Sequence, residues 1–454
     1  MIIKGSKKEG FGSELGFILA AAGSAVGLGN IWRFPYLAAK YGGGIFLLTY
    51  IILVVTFGFS LMVTEISLGR KTGSSVIGAY KNADSRFGFL GPVAALVPFI
   101  ITPYYCVIGG WVLKYLFTFA AGQADLATDD GYFTGFISEA GQSTVFFVIY
   151  ATLTALVVVF GVEKGIENVS KILMPVLILL SLGIAIYTMT LPGAGAGIKY
   201  YILPNFKGFT LSKFLKTVVA AMGQLFYSMS LAMGIMVTYG SYMRKQDSIE
   251  GSTRQISFFD TLIAVIAGLI IVPSVFIFSG GDSNALNAGP GLMFVTLPKV
   301  FDSMKGGQIA GCAFFLLVAF AALTSSVSML ETMVSIVTEK FNIKRTGSTV
   351  ICLLIIFVMG MFSVFGYSSW DKVTIFGYQI LDFFDFVSNN IMMPIVALLT
   401  CILIGYIVKP KYIEDETTLN GETFKAKGLY EVMTRFVCPV FMIIILLTPF
   451  FIEL

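Results

Sequence analysis

Residues 23–35 read Gly-Ser-Ala-Val-Gly-Leu-Gly-Asn-Ile-Trp-Arg-Phe-Pro and interrupt the first long apolar run of the chain. Glycine weakens a helix, and this stretch holds three glycines beside an asparagine and an arginine. In lipid, a backbone N–H or C=O group without a partner is costly, so a spanning segment is normally a continuous helix. The stretch therefore predicts a helix that is unwound inside the membrane, where its free backbone groups can bind a ligand or an ion.

The composition around this stretch is that of an all-α polytopic membrane protein. Of the 454 residues, 56% are hydrophobic and 12% are charged, against about 25% charged in soluble domains. A membrane-spanning helix needs about 20 mostly apolar residues. We predict eleven such segments, at 13–38, 43–68, 89–121, 143–161, 168–191, 213–240, 256–280, 308–337, 348–367, 376–407 and 430–452.

A second interruption lies in the sixth segment, where residues 224–234 read Gln-Leu-Phe-Tyr-Ser-Met-Ser-Leu-Ala-Met-Gly. Broken helices at corresponding places in two halves of a chain indicate a secondary transporter built from inverted repeats. An alternative is that the small residues serve close helix packing. The residues alone leave both interpretations open.

Residue usage also excludes several classes of function. The chain has no histidine, which removes histidine-based catalysis and histidine metal sites. Its five cysteines lie inside apolar runs without close spacing, so neither a zinc site nor a disulfide framework is expected. We expect one integral domain over residues 1–454, with no nucleic-acid partner and no enzymatic activity.

The loops predict the orientation. Most of the 30 Lys and Arg residues fall in loops on the side of the N-terminus, and such residues concentrate on the cytoplasmic side. We therefore expect a multi-pass protein of the cell (plasma) membrane with a cytoplasmic N-terminus and an extracellular C-terminus.

Residues 23–35 with Gly42-Gly43-Gly44 resemble the signature of the neurotransmitter:sodium symporter family, whose bacterial amino-acid transporters have the leucine-transporter (LeuT) fold. Further matches along the chain are Tyr104-Tyr105, Gln224 to Gly234, Leu323-Thr324-Ser325-Ser326 and Asp385-Phe386. The resemblance implies a 5+5 inverted repeat with unwound first and sixth helices. The repeats would be residues 13–191 and 213–407, followed by an extra eleventh helix at 430–452.

The resemblance also implies two sodium sites. The first would comprise Gly23, Val26, Ala321, Thr324 and Ser325, and the second Ala25, Asn30, Ser228 and Asp260. From the residues alone, Thr324 and Ser325 could instead bond back to their own helix, and Asp260 could be a charge at the cytoplasmic end of a helix. Asp260 stands where the family commonly has Asn, and its negative charge leads us to expect that chloride is not required.

The implied substrate is a neutral apolar or aromatic L-amino acid. Family members that carry monoamines have Asp at the position of Gly27, whereas glycine leaves room for the substrate carboxylate. The pocket has no charged side chain, so a charged substrate side chain would be buried without a partner. The implied substrate-binding residues are Ala25, Leu28, Gly29, Ile101, Tyr105, Tyr227, Ser228, Ser230, Met233, Ser325 and Met329.

The implied gates lie above and below this pocket. Arg33 and Asp385 would form the outer pair, joined directly or through water, with Tyr227 and Tyr105 as the lid beneath them. Lys8 and Glu339 would form the inner pair, with Phe11 where the family usually has Trp. In the fifth segment, the spacing of Gly165 and Pro175 resembles the family's site of helix unwinding, although a simple proline kink is the alternative.

These expectations describe a sodium-coupled amino-acid symporter that works by alternating access. A transport-inactive sensor of the same fold is the alternative. We expect a monomer or weak dimer in the lipid bilayer.

Overall fold

The computed structural model describes residues 10–278 and 290–451, and within them the chain is helical, with two isolated β-bridges in place of any strand. We number the predicted membrane spans 1 to 11 in chain order. In this described part, nine helices are long and apolar enough to be continuous spans. They are span 2 (Gly44–Thr72), span 3 (Ser85–Ala120), span 4 (Ala140–Val159), span 5 (Val162–Met189), span 7 (Ile249–Phe278), span 8 (Gly307–Phe341), span 9 (Arg345–Tyr367), span 10 (Ile380–Ile407) and span 11 (Lys427–Thr448).

Span 1 is broken, as predicted. Its halves, Glu14–Ala25 and Gly29–Lys40, meet at an angle of 55°. Val26 leaves the helical region with ψ of 102°. The glycines here are required by close approach, because a Cβ on Gly27 would lie 2.6 Å from Oγ of Ser325 and one on Gly29 would lie 2.4 Å from the ring of Tyr227. Close packing and helix breaking, which the sequence left as alternatives, therefore occur together.

Span 6 is also broken, into Leu211–Ser228 and Ile235–Tyr242. Three residues of the intervening turn have positive φ, namely Ser230 at 53°, Ala232 at 59° and Gly234 at 74°. Only Gly adopts this conformation without strain. Oε1 of Glu65 in span 2 accepts a hydrogen bond from the backbone N–H of Ala232 at 2.7 Å and holds the turn in place.

The broken spans are enclosed by the most buried of the continuous ones. In the most apolar 18-residue stretch of spans 3 and 8, 78% of the residues are buried inside the protein. The same fraction is 39% in span 4, 33% in span 5 and 28% in span 11. Spans 3 and 8 therefore form the core around the two breaks, while spans 4, 5 and 11 present most of their surface to lipid.

Several helices begin earlier than their apolar runs predict. Span 7 starts at Ile249 rather than at 256, and span 5 starts at Val162 rather than at 168. The first turns of span 7 are polar but helical, since Glu250 and Arg254 form an ion pair one turn apart at 2.6 Å. Shorter helices in the connections are Val76–Ala83, Ala124–Ala127, Asp130–Ser138, Ala194–Ile202, Leu297–Asp302 and Lys411–Thr417.

The positive φ of Ala232 generates a prediction about stability. In Ala232→Gly, release of the left-handed strain, about 1 kcal/mol, offsets the loss of one buried methyl group, about 0.8 kcal/mol. The melting temperature in detergent should therefore change little. The matched control Ala221→Gly lies in the helical part of span 6 and is equally buried, so it should destabilise the protein by about 1–2 kcal/mol. Equal losses for the two variants would contradict the strained turn.

Candidate substrate and sodium site

The first predicted sodium site is assembled where span 8 crosses the break in span 1. Oγ of Ser325 lies 3.0 Å from the carbonyl oxygen of Ser24, 3.2 Å from that of Val26 and 3.5 Å from that of Gly23. Thr324 instead bonds back to its own helix, at 3.0 Å from the carbonyl of Ala321. The back-bonding alternative thus holds for Thr324, whereas Ser325 also reaches across to span 1.

Asp260 is fully buried in the middle of span 7, so the interpretation of it as a charge at a helix end is wrong. Its Oδ1 accepts hydrogen bonds from Nδ2 of Asn30 at 2.7 Å and from Oγ of Ser228 at 2.6 Å. Its Oδ2 accepts one from the hydroxyl of Tyr50 at 3.0 Å. Sequence reasoning missed Tyr50, because a tyrosine in an apolar helix carries no signal beyond core packing.

The oxygen atoms around Asp260 are suited to bind a hard cation. Its three side-chain partners are neutral, and in the described part of the chain no Lys or Arg lies within 4 Å of the carboxylate. A buried carboxylate without a counter-charge is expensive. A sodium ion held by the oxygens of Asp260 and Ser228 would supply the missing positive charge, and Asn30 would join them once its amide turned its oxygen toward the ion.

Between the two clusters lies a small chamber of about 20 Å³. All of the predicted substrate-binding residues line it except Ser228, which lies behind the chamber wall with Asp260. The lining consists of Ser24, Ala25, Gly27, Leu28, Gly29, Asn30, Ile101, Tyr105, Tyr227, Ser230, Met233, Ile235, Ser325 and Met329. The backbone N–H of Leu28 donates to the hydroxyl of Tyr105 at 3.3 Å. The chamber thus combines exposed backbone, hydroxyl groups and apolar side chains, with no charged side chain.

A cluster of hydroxyls that the sequence reasoning missed joins both breaks to span 8. Oγ of Ser24 lies 2.6 Å from Oγ of Ser328, and Oγ of Ser230 donates to the carbonyl of Ser24 at 2.9 Å. The available signal was spacing, because Ser328 follows Ser325 by three residues and lies on the same helix face.

A larger cavity of about 420 Å³ lies on the predicted outer side of this chamber and is lined by both predicted outer-gate residues. Arg33 and Asp385 line it without a direct ion pair within 4 Å. The guanidinium of Arg33 lies 5.4 Å from the ring centre of Tyr227, which lines both cavities and so separates them.

A third tyrosine lies beside the predicted lid of Tyr227 and Tyr105, which stays a prediction. The tyrosine that contacts Asp385 is Tyr104, which donates to its Oδ1 at 3.0 Å, and Nδ2 of Asn389 donates to the same oxygen at 2.6 Å. Tyr105 points into the substrate chamber instead, since successive residues on a helix are about 100° apart.

On the opposite side, a polar clamp that the sequence reasoning missed holds the start of span 1. Glu167 accepts hydrogen bonds from the N–H of Gly12 at 2.6 Å and from Oγ of Ser13 at 2.7 Å. Arg244 donates to the carbonyl of Gly12 at 2.9 Å and pairs with Asp247 at 2.7 Å. These contacts fasten the start of span 1 to span 5 and to the segment between spans 6 and 7.

The predicted inner gate is placed only in part. Lys8 lies outside the described residues. Oε2 of Glu339 accepts a hydrogen bond from the N–H of Ser75 at 2.5 Å. Phe11 is buried in edge-to-face contact with Phe17 and Tyr239. The glutamate and the phenylalanine thus each have close partners of their own.

Span 5 is helical throughout Val162–Met189, including Gly165 and Pro175. A Cβ on Gly165 would lie 2.2 Å from the carbonyl oxygen of Val157, so this glycine is required by the close approach of span 4. Unwinding between the two residues is not present in this conformation and stays a prediction.

Comparison with known proteins agrees with this architecture. The profile of the sodium:neurotransmitter symporter family matches residues 8–129 and 132–453. An uncharacterized sodium-dependent transporter of Bacillus subtilis is 34% identical over 443 residues, 96% of each chain. Another, from Haemophilus influenzae, is 31% identical and covers 99% of this chain and 100% of its own.

A solved structure gives the same result for the fold. The crystal structure of MhsT in complex with L-phenylalanine superposes with a TM-score of 0.86 at 35% identity, and the match covers 97% of this chain and 100% of MhsT. Together with the two broken spans, these matches confirm the leucine-transporter fold predicted from the sequence. The chain belongs to the sodium:neurotransmitter symporter family and is a multi-pass, sodium-dependent membrane transporter rather than an enzyme.

Proposed function

We propose that this transporter is a symporter of neutral apolar or aromatic L-amino acids, coupled to sodium by alternating access. The observation that carries the proposal is the chamber between the two broken spans, which has bare backbone at one end, apolar side chains elsewhere and an oxygen cluster on either side. A zwitterion with an apolar side chain matches each of these parts.

The substrate carboxylate would bind at the break in span 1, against the N–H groups of Leu28 and Gly29 and the hydroxyl of Tyr105. Gly27 supports this position, because any side chain there would meet Ser325 and Tyr105 at 3.0 Å or less. The ammonium group would bind carbonyl groups of the unwound stretches, around Ala25, Tyr227 and Ser230.

The side chain of the substrate would lie between Ile101, Met233 and Met329. A chamber of about 20 Å³ holds little more than one water molecule, so substrate binding requires expansion. Methionine suits this role, because its flexible side chain repacks around different shapes. MhsT, which was crystallised with L-phenylalanine, supports an aromatic substrate for this related chain.

Two sodium ions would bind beside the substrate. The first would use carbonyls of Gly23, Val26 and Ala321 with the hydroxyls of Thr324 and Ser325. The second would use Ala25, Asn30, Ser228 and Asp260, with the substrate carboxylate as a further ligand. Because the substrate carboxylate completes the shell of the second sodium, sodium and substrate each raise the affinity for the other.

Alternating access would use one gate on the outer side of the chamber and one on the inner side. Tyr227, under Arg33 and Asp385, would close the outer side after binding. Release of the Glu167 and Arg244 contacts from residues 12–13 would then open the inner side, with Lys8 and Glu339 as the inner pair and unwinding at Gly165 to Pro175 as the water path.

We further propose inverted repeats at 13–191 and 213–407 with an eleventh helix at 430–452. The N-terminus would be cytoplasmic and the C-terminus extracellular, and the protein would be a monomer or weak dimer.

Reconstitution tests the proposed activity. Proteoliposomes that contain the purified chain should accumulate radiolabelled L-phenylalanine when sodium is present outside, and should exchange it in counterflow. Unlabelled neutral apolar amino acids should compete, whereas lysine and glutamate should not. Sodium-dependent binding without uptake or counterflow would instead identify a transport-inactive sensor.

The first sodium site can be tested with adjacent serines. Ser325→Ala removes a hydroxyl at the break, and hydrogen bonds to charged groups are worth about 1.5–3 kcal/mol. We therefore expect the sodium concentration for half-maximal L-phenylalanine binding to rise about tenfold or more. Ser326→Ala is the control, since its hydroxyl contacts Tyr150 and Thr154, away from span 1. An equal response in the two variants would argue against sodium at Ser325.

Asp260 generates a prediction about chloride. Replacement of chloride by gluconate should leave uptake by the native chain unchanged, since Asp260 supplies the negative charge beside the second sodium. Asp260→Asn should weaken sodium-dependent uptake strongly, and chloride should restore part of it. Tyr50→Phe removes one donor but keeps the carboxylate, so it should stay independent of chloride. Loss of native uptake in gluconate would contradict the proposed role of Asp260.

A further inference from the structure

A groove of about 380 Å³ lies on the outer surface of the bundle, between spans 2, 7 and 11, and takes no part in the proposed transport path. Its walls are mostly apolar. Val55 of span 2 and Phe258 of span 7 line it and are 57% and 61% exposed. Surface of this kind faces the acyl chains of the bilayer.

One end of the groove is basic. Arg254 lies in the second turn of span 7, about 7.5 Å from the start of that helix, and its guanidinium lies 5.4 Å from the ring centre of Phe59. Its side chain is 57% exposed. Lys425 is exposed at the same end, next to Ala426, which lines the groove. At this distance from the start of span 7, Arg254 would lie near the headgroups of the leaflet predicted to be cytoplasmic.

The arginine keeps binding capacity despite its ion pair. Nε and Nη2 of Arg254 donate to Oε1 of Glu250 at 3.2 and 2.6 Å, and Oε2 of Glu250 accepts from the N–H of Lys425 at 2.8 Å. Both carboxylate oxygens are therefore engaged, while a guanidinium has five N–H donors. The remaining donors can bind an anion such as a phosphate.

Two hydroxyl residues lie beyond the arginine. Ser257 and Thr261 line the groove three and seven residues after Arg254 on the same helix. The buried Oγ of Ser257 has no hydrogen-bond partner among the described residues. The ester oxygens of a phospholipid lie just below its phosphate. In a lipid whose phosphate lies at Arg254, these oxygens would be at the level of Ser257 and Thr261.

We propose that this groove binds an anionic phospholipid, with its phosphate at Arg254 and one acyl chain along spans 2 and 7. The positive charges of Arg254 and Lys425 favour an anionic lipid over one without net charge, because basic residues between helices at the headgroup level bind anionic lipids. The groove spans about 10 Å along the helix axis from Arg254 to Thr261, which fits an acyl chain that extends away from its headgroup.

The experiment is a lipid titration of the full-length chain in detergent, followed by native mass spectrometry. The probe is phosphatidylglycerol, which has a net negative charge, and the comparison is phosphatidylcholine, whose zwitterionic headgroup has no net charge. We expect tighter binding of phosphatidylglycerol. Arg254→Gln should weaken that binding about fivefold, and Val55→Trp, which fills the groove without a change of charge, should weaken it for both lipids.

Each variant has a matched control elsewhere on the surface. Arg86→Gln also removes an arginine that is paired with a carboxylate, in this case that of Asp84. Val145→Trp alters an equally exposed valine on span 4. Both controls should stay within twofold of the native chain.

Three results would overturn the proposal. In the first, Arg254→Gln and Arg86→Gln have the same effect. In the second, the native chain binds the two lipids equally. In the third, Val55→Trp lowers binding while Arg254→Gln leaves it unchanged, which would indicate a groove for acyl chains without headgroup recognition. None of these results depends on the transported substrate, so the proposed function stands or falls separately.

Discussion

The whole structure depends on how the protein satisfies backbone groups that two broken helices expose inside the membrane. Lipid offers these groups no hydrogen bonds, so side chains of neighbouring spans must supply them. Nε2 of Gln224 donates to the carbonyl of Gly29 at 2.9 Å, Glu65 accepts from the N–H of Ala232, and Ser325 donates to the carbonyl of Val26. The breaks are therefore stable only because spans 2, 6 and 8 are packed around them.

The same constraint explains where the polar residues lie. A buried carboxylate at Asp260 and a row of serine hydroxyls are expensive in a membrane protein unless each has a partner. Here they are gathered around the breaks, and they bond to the exposed backbone and to one another. The side chains that satisfy the exposed backbone thus also supply the oxygen atoms that we propose as sodium ligands.

The sequence predicted the all-α fold and the two breaks well, because both depend on local composition. Twenty-residue apolar runs indicate spanning helices in any membrane protein, and clustered glycines and small polar residues mark where such a helix is weakest. The chamber lining was also largely predicted, but through the family signature, since no spacing rule brings Ile101 or Met329 next to the break in span 1. The lid was assigned to Tyr227 and Tyr105, which stays a prediction, and the contact of Tyr104 with Asp385 was not predicted.

The contacts between distant spans could not be obtained from the sequence, because they depend on helix rotation and on which faces meet. Tyr50 reaches Asp260 from span 2, and Glu167 of span 5 clamps residues 12–13. Each is an ordinary residue in its own segment. The sequence by itself determined that the chain crosses the membrane many times and located the two stretches where spans 1 and 6 are weakest as helices, since glycine and small polar residues cluster there. Only the tertiary structure decided which side chains complete the breaks, because hydrogen bonds of about 3 Å between separate helices follow from packing geometry and not from sequence distance.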